Sequence, residues 1–281
     1  MKVIKKTDSK KKSVKKLYRF VDEVVERIYK KPRVKNVLFF FTEDPKRAFL
    51  NIIDAENVPH GRQYGKLEKW LSEDLSSFSV QNKKIAVIMI NLNDPVLRND
   101  KAAKALIAHE FSHTIEKSYG VEPKISRVGG KQWPFIIKTL QRIRKDYGTV
   151  LNDLIKLTTF FILCMKDIIV DEFLIESGFE EELEELRKYY KPKRIRKINK
   201  NNLADTIISY IGYRIEWIPF EVKLNRKIRY REFVPEMVEK ECNKVVKQLK
   251  DIRPGKLTQK DIKEVVRTGL DAYRKLYKKM D

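Results

Sequence analysis

A chain of 281 residues, 42% of them hydrophobic, is long enough to bury a sizeable core as one compact unit or two small domains, and needs neither metal nor disulfide merely to hold together. Its two cysteines, Cys164 and Cys242, lie far apart and form no CxxC pair, which lends no support to a disulfide framework or a zinc ribbon and points to a reducing, cytoplasmic setting. The net charge of +22, with 36% of residues charged, resembles hyperthermophile usage and favours anionic partners, yet no nucleic-acid-binding motif accompanies it.

Residues 1–13 read as a basic tail, and the amphipathic pattern that follows excludes a secretory signal. Val14, Leu17, Tyr18, Val21, Val24, Val25 and Ile28 repeat at helical spacing until Pro32, predicting a first helix. Val37 to Phe41 is a short apolar run that predicts a strand, and Leu67 to Leu75 predicts a helix. Ile85 to Ile90 is uninterrupted and apolar, as expected of a strand covered on both faces. Asn93-Asp94-Pro95 breaks it. Asn99-Asp100 then caps a helix that Ala102, Ala103, Ala105, Leu106, Ile107 and Ala108 carry forward, with Gly120 as its stop.

Beyond Gly129-Gly130 the pattern is helical near 134–147 and 150–177. The longest apolar stretch, Leu157 to Ile175, is interrupted by Lys166, Asp167, Asp171 and Glu172, so no transmembrane span is expected. Glu180 to Glu185 is acidic. Lys191 to Lys200 carries six basic residues and no acid, and reads as a solvated linker, with a nucleic-acid patch or a mobile loop as alternatives. Helices follow near 203–215, 236–250 and 259–280, after Pro235 and Thr258 in the last two cases. The expected fold class is α+β: a small sheet, the helix that starts at Asp100, and a mainly helical carboxyl-terminal part. The expected boundaries are a tail at 1–13, a main domain at 14–190, and a basic linker with a helical region packed on that domain at 191–281.

The chain holds three histidines, and two of them fall in His109-Glu110-Phe111-Ser112-His113, an HExxH sequence. Residues four apart project from one helical face, so His109 and His113 can offer an imidazole nitrogen each to one metal. Glu110 stands about 100° round the helix, beside the ion's open position. A carboxylate there can take the proton of a water that zinc has made acidic.

Leu106 to Ile115 resembles the zincin metallopeptidases, whose longer pattern has uncharged residues around HExxH, here Ile107, Phe111, Ser112 and Thr114, and a hydrophobic residue after it, here Ile115. The resemblance implies a zincin-like fold across 14–190 and a Zn²⁺-dependent peptidase acting on peptides or proteins. It also implies that Glu110 is the general base, and that a third ligand comes from after the motif. His60 precedes the motif in a loop-like segment, and no histidine follows His113, so the third ligand is expected to be a carboxylate.

Gluzincins carry that carboxylate on a downstream helix, with an aspartate four residues later that orients the first motif histidine. Asp167 and Asp171 match this spacing, with Asp in place of the family's usual Glu as ligand. Glu172 and Glu176 match it too and would keep the ligand type, from the roughly opposite face of the same helix. The Asp pair is preferred because Glu172 and Glu176 run into the acidic segment, where an exposed face is expected. A tyrosine or arginine would assist the oxyanion, and the strand at Ile85 to Leu92 would run beside the substrate. The rival reading is a non-catalytic, basic nucleic-acid-binding or scaffold protein on a degenerate metalloprotease fold.

Overall fold

The apolar runs at Val37 to Phe41 and Ile85 to Ile90 cannot leave either face in water without loss, and a central place in a sheet covers both. In the computed structural model they lie side by side in the middle of four strands. The structure describes residues 1–11, 13–45, 47–48, 51, 77–81, 84–118, 131, 133–143, 147–190, 192–230, 232–252 and 257–280. The strands are β1 (Lys2–Thr7), β2 (Asn36–Thr42), β3 (Ser77–Gln81) and β4 (Ile85–Asn91), ordered β1-β2-β4-β3. β1, β2 and β4 are parallel, and β3 is antiparallel to β4. In register, Val37 stands beside Ala86, Phe39 beside Ile88 and Phe41 beside Ile90, all buried.

The helices are α1 (Val14–Arg27), α2 (Asp100–Ser118), α3 (Trp133–Ile143), α4 (Tyr147–Glu176), α5 (Glu180–Arg187), α6 (Leu203–Ile215), α7 (Ile218–Lys223), α8 (Glu236–Lys250) and α9 (Gln259–Lys278). The α+β class is therefore observed. No helix among the described residues is long and apolar enough to cross a membrane. The expected helix at Leu67 to Leu75, the helix stop at Gly120 and the loop histidine His60 lie outside the described residues.

The chain divides into two compact units, Met1–Gly120 with Glu176–Tyr189, and Val121–Ile175 with Tyr190–Asp281. The helix at 147–175 groups with the carboxyl-terminal helices because its apolar face, with Leu154, Leu157, Phe161 and Ile168, belongs to one core with Ile207, Val245, Val266 and Tyr273.

In the first unit, α1 buries Val14, Leu17, Phe20, Val21 and Val24, one stripe at helical spacing, and packs on α2. The expected tail is partly a strand: Lys2–Thr7 pairs with β2 along its whole length. Ladder hydrogen bonds use backbone groups whatever the side chains, and lysines suit an outermost strand because they discourage further pairing. Lys5 bonds Asp22 of α1 at 2.6 Å, and the Thr7 hydroxyl donates to the Phe41 carbonyl at 2.7 Å. β3 was not legible in the sequence. Gly178, at φ +79°, ends the α4 helix in a left-handed turn and lets the Arg27 guanidinium stack 4.0 Å from the Phe179 ring.

In the second unit the closest approach is at Gly269 of α9, where a Cβ would fall 2.0 Å from the Phe161 ring of α4. Only glycine leaves room for that ring. Thr258 and Asp261 form a capping box at the start of α9, and the buried Tyr273 donates its hydroxyl to Asp153 at 2.7 Å.

Candidate metal centre

α2 starts where its sequence says it should. The Asn99 side chain accepts from the Ala102 amide at 3.0 Å, after a short 3-10 turn (Pro95–Arg98) capped by Asp94. Ala102, Ala103, Ala105 and Ala108 are buried, and small side chains let neighbouring elements approach closely. Within the first unit α2 packs against α1, α5, β3 and β4, and the Phe111 ring lies 5.9 Å from that of Phe39. α5 is tied to it by Lys101 and Glu181 at 2.7 Å. Such a helix is covered on most sides, so its polar residues need an account.

His109 and His113 supply one. Their Nε2 atoms are 3.2 Å apart, with the rings nearly perpendicular at 86° and both side chains partly buried. Two nitrogens bound to one tetrahedral zinc at the usual bond length stand about 3.3 Å apart. The pair is therefore set at ligand spacing. Glu110 is 7% exposed; its Oε1 accepts from the Ser77 hydroxyl of β3 at 2.9 Å, while its buried Oε2 has no hydrogen-bond partner among the described residues. A buried carboxylate oxygen without a partner costs about 1–3 kcal/mol or more. The donor chemistry and this oxygen both suit zinc.

Two residues of this site escaped the sequence reading. Ser77 lies on a strand the sequence did not announce, so nothing local could have found it. Glu116 could have been found: it stands three residues after His113, on the same face, and is 6% exposed. Its Oε2 is 3.6 Å from His113 Nδ1, too long for a direct hydrogen bond but close enough to favour the imidazole orientation electrostatically.

The carboxylates proposed as further ligands are on α4 of the second unit. Asp167 is partly buried and Asp171 is 1% exposed. The Cys164 thiol, fully buried, is held well above its usual range, first by desolvation and then by the charges of Asp167 and Glu216. The expectation that Glu172 and Glu176 share an exposed face is corrected in part. Glu176 is exposed, but Glu172 is fully buried, with its Oε2 3.7 Å from Lys223 Nζ of α7. A lysine brought in by a distant helix compensates its charge, which no local pattern encodes.

Ile85 to Ile90 of the strand expected beside a substrate is buried within the sheet. β4 lies between β2 and β3 in the sheet and is buried from Ile85 to Ile90, so the last strand beyond it is β3, the strand whose Ser77 holds Glu110. Both cysteines are free and buried. No protein-family model matches the chain, and comparison with curated proteins and with solved structures finds no match.

Proposed function

We propose that the protein is a zinc-dependent metallopeptidase of zincin-like fold, acting on peptide or protein substrates. The observation that carries the reading is the pair of Nε2 atoms 3.2 Å apart on one helical face, with the buried Glu110 between them in sequence. His109 and His113 are two zinc ligands. As third ligand we take Asp167, the carboxylate whose spacing to Asp171 matches the gluzincin pattern. Glu172, the alternative, has its charge compensated by Lys223. Asp171 then serves to orient a motif histidine, in the way carboxylates commonly fix metal-bound imidazoles.

Zinc bound there supplies Lewis acidity, bringing the pKa of water to about 7 and polarising the scissile carbonyl. The protein's own residues do the rest. Glu110 takes the proton of the attacking water at Oε2, which has no hydrogen-bond partner among the described residues, and returns it to the leaving amine. Ser77 fixes the other oxygen, Oε1, so the base meets the water in one orientation. Since Ser77 is on β3, an extended substrate laid along that strand would present its carbonyl beside the base; β3 thus takes the role that sequence assigned to Ile85 to Leu92. Two free buried cysteines and no disulfide fit a cytoplasmic setting for this activity.

The test is metal analysis of the purified chain together with peptide hydrolysis by the wild type and Glu110→Gln. One zinc per chain in both proteins, with hydrolysis only in the wild type, is the expected result. A chain that takes up no zinc on reconstitution while its helices remain intact overturns the reading.

A further inference from the structure

The second unit carries a feature that peptide hydrolysis does not use. α9 packs against both α3 and α8, and a 380 Å³ cavity lies among the three helices. Each helix sends cations to it. Lys138 and Arg142 are four apart on α3, Lys244 comes from α8, and Arg267 and Lys275 are two turns apart on α9. Against these five stand two carboxylates, Glu241 and Asp271, which leaves a formal charge of +3 by subtraction.

The two acids are already engaged. Glu241, 7% exposed, accepts from Lys244 at 2.6 Å, and this bond, with the charges of Lys244, Lys275 and Lys279, keeps its carboxyl below the usual range. Asp271 is bonded to Arg274 at 3.3 Å, outside the cavity lining. Arg267 is held by Glu264 at 2.6 Å, while Lys138, Arg142 and Lys275 have no carboxylate within 4.0 Å among the described residues. Like charges gathered in one concavity repel, and an anion with several charges relieves that repulsion in one binding event. Thr268 adds a hydroxyl to the wall, while Phe135 and Leu270 give it an apolar part.

We propose that this cavity binds a small molecule bearing two or more phosphate groups, of the nucleotide or polyphosphate class. A concave site of this volume suits a compact ligand, and Arg142 and Arg267 offer the planar donor forks that phosphate oxygens accept. The inference is independent of the proposed peptidase activity, since none of its residues belongs to the metal centre.

The test is calorimetric titration of the full-length protein with inorganic tripolyphosphate, ATP and a 12-residue single-stranded oligonucleotide at fixed salt. The variant pair is Arg142→Gln with Lys275→Gln. The control pair, Arg196→Gln with Lys197→Gln, removes the same charge from exposed positions outside the cavity. Saturable one-to-one binding of tripolyphosphate or ATP, weakened at least tenfold by the first pair and less than threefold by the second, is expected. Equal weakening by both pairs would mean that only the overall charge acts, and overturns the proposal. So does saturable binding of the oligonucleotide alone, or of none of the three. A melting temperature within 3 °C of the wild type confirms that the variants are folded, and because every altered residue is exposed, folding is expected to survive.

Discussion

α2 and α4 are both helices covered on most sides, yet they bury different chemistry. In α4 the interior is Leu154, Leu157, Phe161, Cys164 and Ile168, packed so closely on the second unit that Gly269 has no space for a Cβ. In α2 the same depth holds Glu110, Ser112, Thr114 and Glu116. Apolar burial stabilises at roughly 25 cal/mol per Å², whereas a buried polar group costs free energy unless it is compensated. The two helices therefore differ in degree: α2 buries a run of polar groups around the histidine pair, whereas the face that α4 packs in the second unit is mainly apolar. α4 departs from its own pattern at Lys166, Asp171 and Glu172, which are buried as well.

The sharpest way to break this comparison is to remove a ligand. In the proposed reading His113→Ala loses zinc and hydrolysis together, while circular dichroism shows the helices retained; zinc bound with wild-type affinity would end the assignment of His113. Stability should respond in the opposite region. Phe161→Ala is expected to cost about 3–5 kcal/mol in denaturant unfolding, and Gly269→Ala at least about 1–3 kcal/mol through overpacking of the same ring. Neither should alter zinc stoichiometry in the protein that remains folded. A larger stability loss from His113→Ala than from Phe161→Ala would reverse the comparison.

A third experiment separates the base from the ligands. Glu110→Gln should keep zinc and fold but lower hydrolysis by about 10²-fold or more, the scale of general-base catalysis. Ser77→Ala should have a smaller effect, about threefold to tenfold on kcat with little change in KM, because it loosens the base without removing it. An unchanged kcat would show that the 2.9 Å hydrogen bond to Glu110 positions nothing of consequence.

The smallest effect is chemical. Desolvation pushes both thiols above their usual range, Cys164 and Cys242 alike, so the thiolate is scarce near neutral pH and the sulfurs are covered. Neither should react with an aqueous thiol reagent at pH 8 until the second unit unfolds. Rapid labelling of the native chain would show that this core opens more readily than its packing implies.

Much of the candidate site could be read locally. The fourfold spacing of His109 and His113, the Asn99 cap and the alanines between them are all encoded within fifteen consecutive residues, because helical periodicity and capping are short-range. The central strands were legible for the same reason, since a run such as Ile85 to Ile90 has few other fates. The same is true of α1, α6, α8 and α9, whose apolar spacing and breakers agree with the observed ends to within a few residues.

Other features depended on partners remote in sequence. Lys2–Thr7 reads as a solvated tail because its lysines say nothing of the backbone hydrogen bonds it makes with β2. Ser77 meets Glu110 only because β3 lies beside α2, and Glu172 departs from the exposed face expected of it because its compensating Lys223 is 51 positions away. α4 buries its apolar face among helices that follow it by 30 to 100 residues, a grouping that no local pattern announces. Sequence by itself determined the residue types and the short periods that make a possible zinc ligand pair and a proton carrier. Tertiary structure alone decided which strand holds Glu110, which acids are buried and where the cations of three helices meet, since each of these depends on contacts between segments that the chain keeps far apart.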